Sequence, residues 1–236
     1  MVVDAGNSLT KVGIFEKDSL RKKVDFKTPD ELRDFMKTTP VDNFIVSSVI
    51  GREAEISSWS AASNKIIFQY TTPLPIKNRY ATPASLGVDR IAAACGAWLM
   101  HPEEDTLVID IGTCINYECI SRKGEYLGGA ISPGVRMRFE AMHQFTEKLP
   151  LAGPVPDALL TGTDTASCLQ SGVMNGVTEE INGVIDRYRI RTPGLRVILC
   201  GGDAHFFENH LKPAIFVAPD LVLVGLNSIL LHNVTS

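Results

Sequence analysis

The segments Val2-Val3-Asp4-Ala5-Gly6-Asn7-Ser8 and Val108-Ile109-Asp110-Ile111-Gly112-Thr113-Cys114 share one pattern. In each segment a short apolar strand ends in an aspartate, a glycine follows two residues later, and small polar residues lead into a second strand. The aspartates are 110 − 4 = 106 residues apart, and the glycines are 112 − 6 = 106 residues apart. This duplication predicts two α/β halves that begin in the same way.

The Asp-x-Gly loops are suited to binding phosphate. Glycine lets a backbone approach an anion closely and offers N–H donors, while a carboxylate can hold a hydrated cation against the same phosphates. Asp and Gly also fill ordinary β-turns, so a single copy would favour a turn over a ligand site. Two copies, each between a pair of strands, favour duplicated lobes that face a shared nucleotide cleft.

Length and composition agree with a two-domain globular protein. The chain has 236 residues, 44% of them hydrophobic and 21% charged, which is enough for two domains of about 100 to 150 residues. A polar break at His101–Asp105 separates the two motif copies. We therefore predict an N-terminal lobe over residues 1–104 and a C-terminal lobe over residues 105–236.

Charge and hydropathy exclude several classes of partner. A net charge of −4 without a long basic run argues against nucleic acid, which needs clustered Lys and Arg. No apolar stretch approaches the roughly 20 residues of a membrane helix, and the first residues enter a strand rather than a secretion signal. We therefore expect a cytosolic protein that binds neither nucleic acid nor membrane. The five cysteines lack CxxC spacing and are expected to be buried free thiols.

Periodicity places helices and strands around the motifs. Pro29–Lys37 has the spacing of an amphipathic helix with Thr28 as its N-cap, and Val88–Met100 is apolar and alanine-rich enough to be a buried helix. Asp89 lies in the first turn of that second helix. The residues alone leave two interpretations of Asp89 open, a catalytic group or a carboxylate favoured by the helix dipole.

Two glycine-bearing segments follow in the second half. Tyr126–Gly134 is predicted to be a glycine-rich turn, and Thr163–Tyr188 a long helix. Three glycines within that helix, Gly172, Gly176 and Gly183, would permit close packing, either within one subunit or between subunits. The apolar strand Val197–Cys200 runs into Gly201-Gly202-Asp203, where exposed backbone could flank the base or ribose of a nucleotide.

Taken together, these motifs resemble those of the type III pantothenate kinases, a family of the actin-like, sugar-kinase-like superfamily. Its D-x-G-N-T motif is similar to residues 4–8, its second D-x-G-T to residues 110–113, and its Y-x-x-P-x-x-L-G-x-D-R signature matches residues 80–90 at every fixed position. The L-G-G-x-I-x-P-G stretch, the short L-P, the T…S-G element and the Gly-Gly-Asp loop follow in order. The resemblance covers nearly the whole chain.

The resemblance implies an α/β fold of two ribonuclease H-like (actin-like ATPase) lobes around a nucleotide cleft. It implies ATP-dependent phosphorylation of pantothenate, the first step of coenzyme A synthesis. Asp89 would accept the proton of the substrate hydroxyl. The pantothenate pocket would be shaped by Tyr80, Gly87, Val88 and Arg90.

The resemblance also assigns the nucleotide, the cations and the oligomer. Asp4 would hold magnesium with the ATP phosphates, and Asp110 a monovalent cation, K+ or NH4+. Thr165 would reach the substrate of the neighbouring subunit in a homodimer. The remaining nucleotide contacts would come from Gly6, Asn7, Ser8, Thr113, Gly201 and Gly202.

The chain departs from the family pattern at a few positions. Ser8 replaces a threonine but keeps its hydroxyl, whereas Cys114, Asn116 and Glu118 change the segment after the second motif. Two other functions stay open, a non-catalytic regulator that binds a nucleotide or metabolite, and a sugar kinase or polyphosphate-type hydrolase, because a fold does not fix its substrate. The signature at residues 80–90 favours pantothenate over both.

Overall fold

The computed structural model describes residues 1–212 and 215–234, and within them the chain forms eleven β-strands and six α-helices. The strands are β1 (Val2–Ala5), β2 (Thr10–Glu16), β3 (Ser19–Phe26), β4 (Asn43–Ser48), β5 (Asn64–Ile67), β6 (Lys77–Asn78), β7 (Thr106–Ile111), β8 (Cys114–Ser121), β9 (Glu125–Pro133), β10 (Arg196–Cys200) and β11 (Ile215–Val217). The helices are α1 (Pro29–Thr38), α2 (Glu53–Trp59), α3 (Val88–Met100), α4 (Val135–Gln144), α5 (Thr165–Arg191) and α6 (Leu221–Val234).

The strands form two sheets, with orders β3-β2-β1-β4-β5 and β11-β10-β7-β8-β9-β6. Both motif strands, β1 and β7, lie inside a sheet rather than at its edge. The predicted mixed α/β class is thereby confirmed.

The chain divides into two compact units. Unit 1 contains residues 1–104, 118–128 and 220–236, and unit 2 contains residues 105–117 and 129–219. Strands β8 and β9 each pass from one unit to the other along the chain, and α6 groups with the N-terminal residues. The predicted lobes, 1–104 and 105–236, share most of these residues but are drawn at a single point, and they stay a prediction.

The sheet of unit 1 places Asp4 near the end of a strand whose apolar residues are all buried. Strand β1 pairs antiparallel with β2 and parallel with β4, and both Val2 and Val3 are buried because the two faces of the sheet are covered. Thr28 caps α1 as predicted. Its hydroxyl accepts a hydrogen bond from the backbone N–H of Glu31, whose side chain in turn accepts one from the backbone N–H of Thr28.

Helices α3 and α6 cross at two glycines within unit 1. A Cβ at Gly225 would lie 1.8 Å from the carbonyl oxygen of Ala92, and one at Gly96 would lie 2.4 Å from that of Leu221. Only glycine lets the two backbones approach so closely. This contact fixes α3, whose first turn carries Asp89.

Unit 2 is built around three parallel strands. Strand β10 pairs with β7 on one side and β11 on the other, and Cys200 lies opposite Asp110 in the register. Helix α5 contributes Val177, Ile181 and Ile185 to the core of this unit. The carboxyl ends of β7 and β10 therefore lie side by side, as expected where α/β proteins bind ligands.

The predictions for residues 125–133 and for the cysteines need correction. Residues 125–133 form strand β9, not a turn, because buried Tyr126 and Gly128 alternate with more exposed neighbours in the period of a strand. Gly128 takes a positive φ of 97° within this strand, and a Cβ there would lie 3.4 Å from the Tyr80 ring. Cys95 and Cys200 are buried as predicted, but Cys114 and Cys119 are partly exposed and Cys168 is exposed on α5.

The glycines of α5 do not serve close packing within the chain. A Cβ at Gly172, Gly176 or Gly183 would meet no described atom within 4 Å, and all three positions are exposed. The alternative of packing within one subunit is therefore wrong. Finally, no helix of residues 1–212 and 215–234 combines the length and apolar character needed to cross a membrane.

Candidate active site

The predicted site residues fall into one set in each unit. In unit 1 the structure brings together the end of β1 and the start of α3, so that the Asp89 carboxylate acts electrostatically on Asp4. In unit 2 it brings together the end of β7 and the loop after β10. Thr165 stands apart from these loops in the sequence, as the first residue of α5.

Asp4 is held by its neighbours in the sheet. The Ser47 hydroxyl, opposite on β4, donates a 3.1 Å hydrogen bond to Asp4 Oδ1, and Lys11 is opposite on β2. Burial and the negative charge of Asp89 raise the pKa of Asp4 to about 6, while Lys11 and Ser47 act in the opposite direction. Two carboxylates that repel each other favour a cation beside them.

A single carboxylate fits the way proteins bind magnesium with a nucleotide. Mg2+ usually takes one or two carboxylates and completes its shell with phosphate oxygens and water. Within residues 1–212 and 215–234, no cluster of three or more His, Cys, Asp or Glu could hold a metal ion by itself. One carboxylate near the end of β1 is compatible with this mode of binding, in which phosphate oxygens and water complete the shell.

The two Asp-x-Gly loops use their glycines in the same way. The backbone N–H of Gly6 donates to the Leu9 carbonyl at 3.1 Å, and that of Gly112 donates to the Cys114 carbonyl at 2.9 Å. These N–H groups close the loops and are not the donors for an anion. The exposed residues that follow, Asn7 and Ser8 in one loop and Thr113 in the other, carry the groups that face solvent.

A small pocket opens beside the first loop. It has a volume of about 100 Å³ and is lined by residues 6–10 and by residues near the ends of β3 and α2. Lys27 and Arg52 line the same pocket, although Arg52 is already engaged by both carboxylate oxygens of Glu55, at 2.8 and 2.9 Å. Lys27 was not predicted as a site residue. Nothing in its sequence position, just before the Thr28 cap, indicated that it lines this pocket.

The signature at residues 80–90 forms the entry to α3. Gly87 is the N-cap, and a Cβ there would lie 2.6 Å from Asp89 Oδ1. The same oxygen accepts a 2.8 Å hydrogen bond from the backbone N–H of Arg90. Glycine is therefore needed at position 87 to leave room for the Asp89 carboxylate, and Asp89 is half-buried at the helix start.

Arg90 is the centre of four linked side chains, which we call the Arg90 cluster: Tyr80, Arg90, Glu118 and Tyr126. Arg90 Nε and Nη2 donate to the two oxygens of Glu118 at 2.6 and 3.0 Å, and the Tyr126 hydroxyl donates to Glu118 Oε2 at 2.5 Å. The guanidinium carbon lies 5.8 Å from the centre of the Tyr80 ring, which is 6.1 Å from that of Tyr126. All four belong to unit 1.

The Arg90 cluster carries a buried ion pair. The Glu118 side chain is fully buried and that of Arg90 is 8% exposed. Burial lowers the pKa of Arg90, but the hydrogen bonds and charge of Glu118 outweigh it, so the net pKa is raised and Arg90 stays charged. In the sequence, Glu118 stands out only as a departure from the family pattern. Its signal was a carboxylate within an apolar strand, since such a residue is rarely buried without a partner.

In unit 2 the loop after β10 lies against the end of β7, which carries the second Asp-x-Gly motif. Gly201 has a φ of 95°, and a Cβ there would lie 2.3 Å from the Ile111 carbonyl oxygen and 2.4 Å from Asp110 Oδ1. The Asp203 N–H donates to the same Ile111 carbonyl at 2.9 Å. Glycine at 201 thus lets the loop after β10 approach the second Asp-x-Gly motif.

The second loop is also closed from the side of β9. A Cβ at Gly134 would lie 2.2 Å from the Gly112 carbonyl oxygen, and the Gly134 N–H donates to the Thr113 carbonyl at 3.1 Å. The last glycine of the L-G-G-x-I-x-P-G stretch, Gly134, therefore leaves room for the backbone of the motif loop.

Comparison with known proteins agrees with this geometry. The family model for type III pantothenate kinases matches residues 1–187. The chain belongs to the type III pantothenate kinase family. It is 40% identical over 235 residues to a type III pantothenate kinase of Cytophaga hutchinsonii, with 99% of each chain covered. It is also 40% identical over 240 residues to that of Bacteroides fragilis, with 99% of this chain and 98% of the relative covered.

Solved structures support the fold of this pantothenate kinase family member. A Campylobacter jejuni protein assigned to the Baf family of transcriptional activators matches with a TM-score of 0.67 at 21% identity, over 100% of this chain and 99% of that one. The activator of 2-hydroxyisocaproyl-CoA dehydratase from Clostridium difficile, solved with bound ADPNP, matches with a TM-score of 0.57 at 13% identity, over 98% and 92%. At such identities the likeness shows the actin-like ATPase fold alone.

Proposed function

We propose that this protein transfers the terminal phosphate of ATP to the primary hydroxyl of pantothenate, giving 4'-phosphopantothenate in the first step of coenzyme A synthesis. The observation that carries the proposal is the full-length match to the type III pantothenate kinases, combined with an intact signature whose Asp89 lies at the start of α3. Retained carboxylates at positions 4, 89 and 110 count against a non-catalytic regulator.

Asp89 orients the substrate hydroxyl and accepts its proton. A carboxylate is a weak base for an alcohol, so the proton moves late, as negative charge builds on the attacking oxygen. The backbone N–H of Arg90 fixes one oxygen of Asp89, which leaves the other oxygen to face the hydroxyl. Positioning, rather than strong basicity, is the main contribution in phosphoryl transfer.

Asp4 and Asp110 divide the cations between them. Magnesium with ATP belongs to Asp4, and a monovalent cation, K+ or NH4+, belongs to Asp110. These cations neutralise charge on the transferring phosphoryl group. The repulsion between Asp4 and Asp89 supports a cation at Asp4. The close approach of Gly201 to Asp110 supports a cation site at the carboxyl ends of β7 and β10.

The remaining residues bind the two substrates. Asn7, Ser8 and Thr113 bind ATP phosphates, while Gly6 lets the backbone of its loop approach them without using its own N–H, which donates to the Leu9 carbonyl. Gly201 and Gly202 bind the adenosine part of ATP. On the acceptor side, Tyr80, Gly87, Val88 and Arg90 shape the pantothenate pocket. The placement of Tyr80 and Arg90 in one cluster next to Asp89 supports this division.

The active species is a homodimer in which Thr165 reaches the pocket of the other subunit. Thr165, Gly172, Gly176 and Gly183 are separated by 7, 4 and 7 residues, so they lie on one face of α5 within about 40° of each other. All four are exposed, and a Cβ added at any of the three glycines would meet open space beyond the backbone of its own helix. An exposed face of small residues supports a close contact with a second copy. The cytosolic location stays a prediction of the sequence.

A substrate panel tests the reaction. ATP-dependent phosphate transfer is measured with pantothenate and with a set of hexoses under identical conditions. Phosphorylation of pantothenate alone is expected. Activity only on a sugar would favour a sugar kinase, and nucleotide binding without transfer to any acceptor would favour a regulator.

Three variants test the assigned carboxylates. Asp89→Asn should keep nucleotide binding while lowering kcat by about 100-fold or more, the scale of a lost general base; near-normal turnover would remove Asp89 from the mechanism. Asp110→Ala should weaken activation by K+, whereas Asp4→Ala should impair use of Mg-ATP. Equal activity of the native protein in sodium-only and potassium buffers would contradict the assignment of Asp110.

Mixed dimers test the role of Thr165. Asp89→Asn subunits are mixed with Thr165→Val subunits after sedimentation has shown that the protein is a dimer and exchanges subunits. A shared pocket leaves one site of each mixed dimer with both residues intact, so activity should rise above that of either parent. Absence of recovery would place Thr165 in the site of its own subunit or outside any site.

A further inference from the structure

Glu118 makes contacts that reach the substrate pocket without being part of it. Its two oxygens accept hydrogen bonds from Nε and Nη2 of Arg90, and Oε2 also accepts one from the Tyr126 hydroxyl. It is fully buried on β8, so it does not face solvent or a ligand. Its position is separated from Arg90 by 28 residues, and no family motif described above includes it.

The geometry of this pair restricts Arg90 in orientation as well as in charge. A bidentate contact through Nε and one Nη fixes the plane of the guanidinium, because both hydrogen bonds run parallel in that plane. The fixed plane lies beside the Tyr80 ring, whose other neighbour is the Tyr126 ring. Tyr126 therefore contacts two other members of the Arg90 cluster: its hydroxyl donates to Glu118, and its ring lies beside the Tyr80 ring.

The four side chains form a closed ring of contacts. Arg90 contacts Glu118, Glu118 contacts Tyr126, Tyr126 contacts Tyr80, and Tyr80 contacts Arg90. Two members come from the signature segment and two from β8 and β9. In a closed arrangement each side chain is fixed from two directions, which is how a supporting layer keeps binding groups in place.

We propose that Glu118 is a positioning residue, which holds the Arg90 guanidinium, and through it the Tyr80 ring, in the orientation that binds pantothenate. The inference rests on the proposed function only in naming pantothenate as the ligand of this pocket. Glu118 itself touches no substrate. Its removal should therefore weaken binding of the acceptor and leave binding of ATP unchanged.

The experiment compares Glu118→Gln with Glu125→Gln. Glu125 is a matched control, because it also forms an ion pair with an arginine in unit 1, Arg79 at 2.7 Å, but with the arginine 58% exposed. Steady-state kinetics give KM for pantothenate and for ATP, and calorimetric titration gives the Kd of pantothenate without turnover. Glu118→Gln should raise KM and Kd for pantothenate by about 10-fold or more, with KM for ATP within about twofold of the wild type. Glu125→Gln should change none of these constants.

Tyr126→Phe keeps the test valid if Glu118→Gln folds poorly. It removes one hydrogen bond to Glu118 but no charge, so it should fold and should raise KM for pantothenate by about threefold, again without effect on ATP. Unchanged pantothenate constants in these variants, or equal increases for ATP and pantothenate in folded protein, would overturn the positioning role. If the wild type phosphorylates another alcohol instead, the proposed function fails, and the same comparison with that alcohol decides the role of Glu118.

Discussion

Replacing Arg90 by methionine should be strongly destabilising, because it leaves a fully buried carboxylate without its cation. Both oxygens of Glu118 lose a hydrogen bond from Arg90, and the Tyr126 hydroxyl still donates to Glu118 Oε2. Loss of one member of a buried ion pair costs about 3–5 kcal/mol of the free energy of unfolding. We expect a value in this range for Arg90→Met.

The double variant Arg90→Met/Glu118→Leu should be more stable than Arg90→Met. With both charges removed, neither needs a partner, and the remaining cost is mainly the Tyr126 hydroxyl, whose acceptor has gone. An unpaired buried hydroxyl costs about 1–3 kcal/mol. Adding Tyr126→Phe removes that hydroxyl as well, so the free energy of unfolding of the triple variant should approach that of the wild type.

Urea unfolding followed by tryptophan fluorescence measures this series. Both tryptophans of the chain, Trp59 and Trp98, are in unit 1, and Trp98 is on the same helix as Arg90. The control is Arg79→Met, which breaks an exposed pair and should cost less than about 1 kcal/mol. The reasoning is refuted if Arg90→Met costs no more than Arg79→Met, or if the double variant is no more stable than Arg90→Met.

Three further predictions follow from local geometry. Gly201→Ala should lower the free energy of unfolding by about 1–3 kcal/mol, because it combines a positive φ with a Cβ 2.4 Å from Asp110 Oδ1; thermal unfolding by circular dichroism checks it, and Gly202→Ala, with open space at its Cβ, should have little effect. Gly225→Ala should cost about 1–3 kcal/mol or more by forcing α6 away from α3, which a lowered urea midpoint with native circular dichroism would reveal. Thr28→Ala should cost about 1 kcal/mol through loss of the capping box, and Thr28→Ser should retain most of that stability in the same urea titration; equal losses in both would contradict a capping role.

The elements around the motifs were predictable because they depend on neighbouring residues. The apolar run before Asp4 and the cap at Thr28 both act over a few positions, and the structure confirms strand β1 and helix α1. Helix α3 begins and ends at the predicted residues, Val88 and Met100. Capping, hydrophobic period and glycine conformation are local properties, so a single sequence carries them.

The signature identified the family before any geometry was known. A run of fixed residues from Tyr80 to Arg90 is specific enough to predict a substrate class, and the comparisons confirm the family. What each of the signature residues touches was not contained in that run. The role of Gly87 in leaving room for Asp89 is visible only from a 2.6 Å distance.

The sequence by itself determined the α/β class, the duplicated Asp-x-Gly loops and the family, because these follow from local patterns and from motif order. Only the tertiary structure decided that Glu118 is the partner of Arg90, that residues 125–133 are a strand, and that the α5 glycines have open space at their Cβ positions. Each of these depends on groups far apart in the chain, such as the 28 residues between Arg90 and Glu118. A local pattern says that a buried carboxylate needs a cation, but only folding selects which arginine meets it.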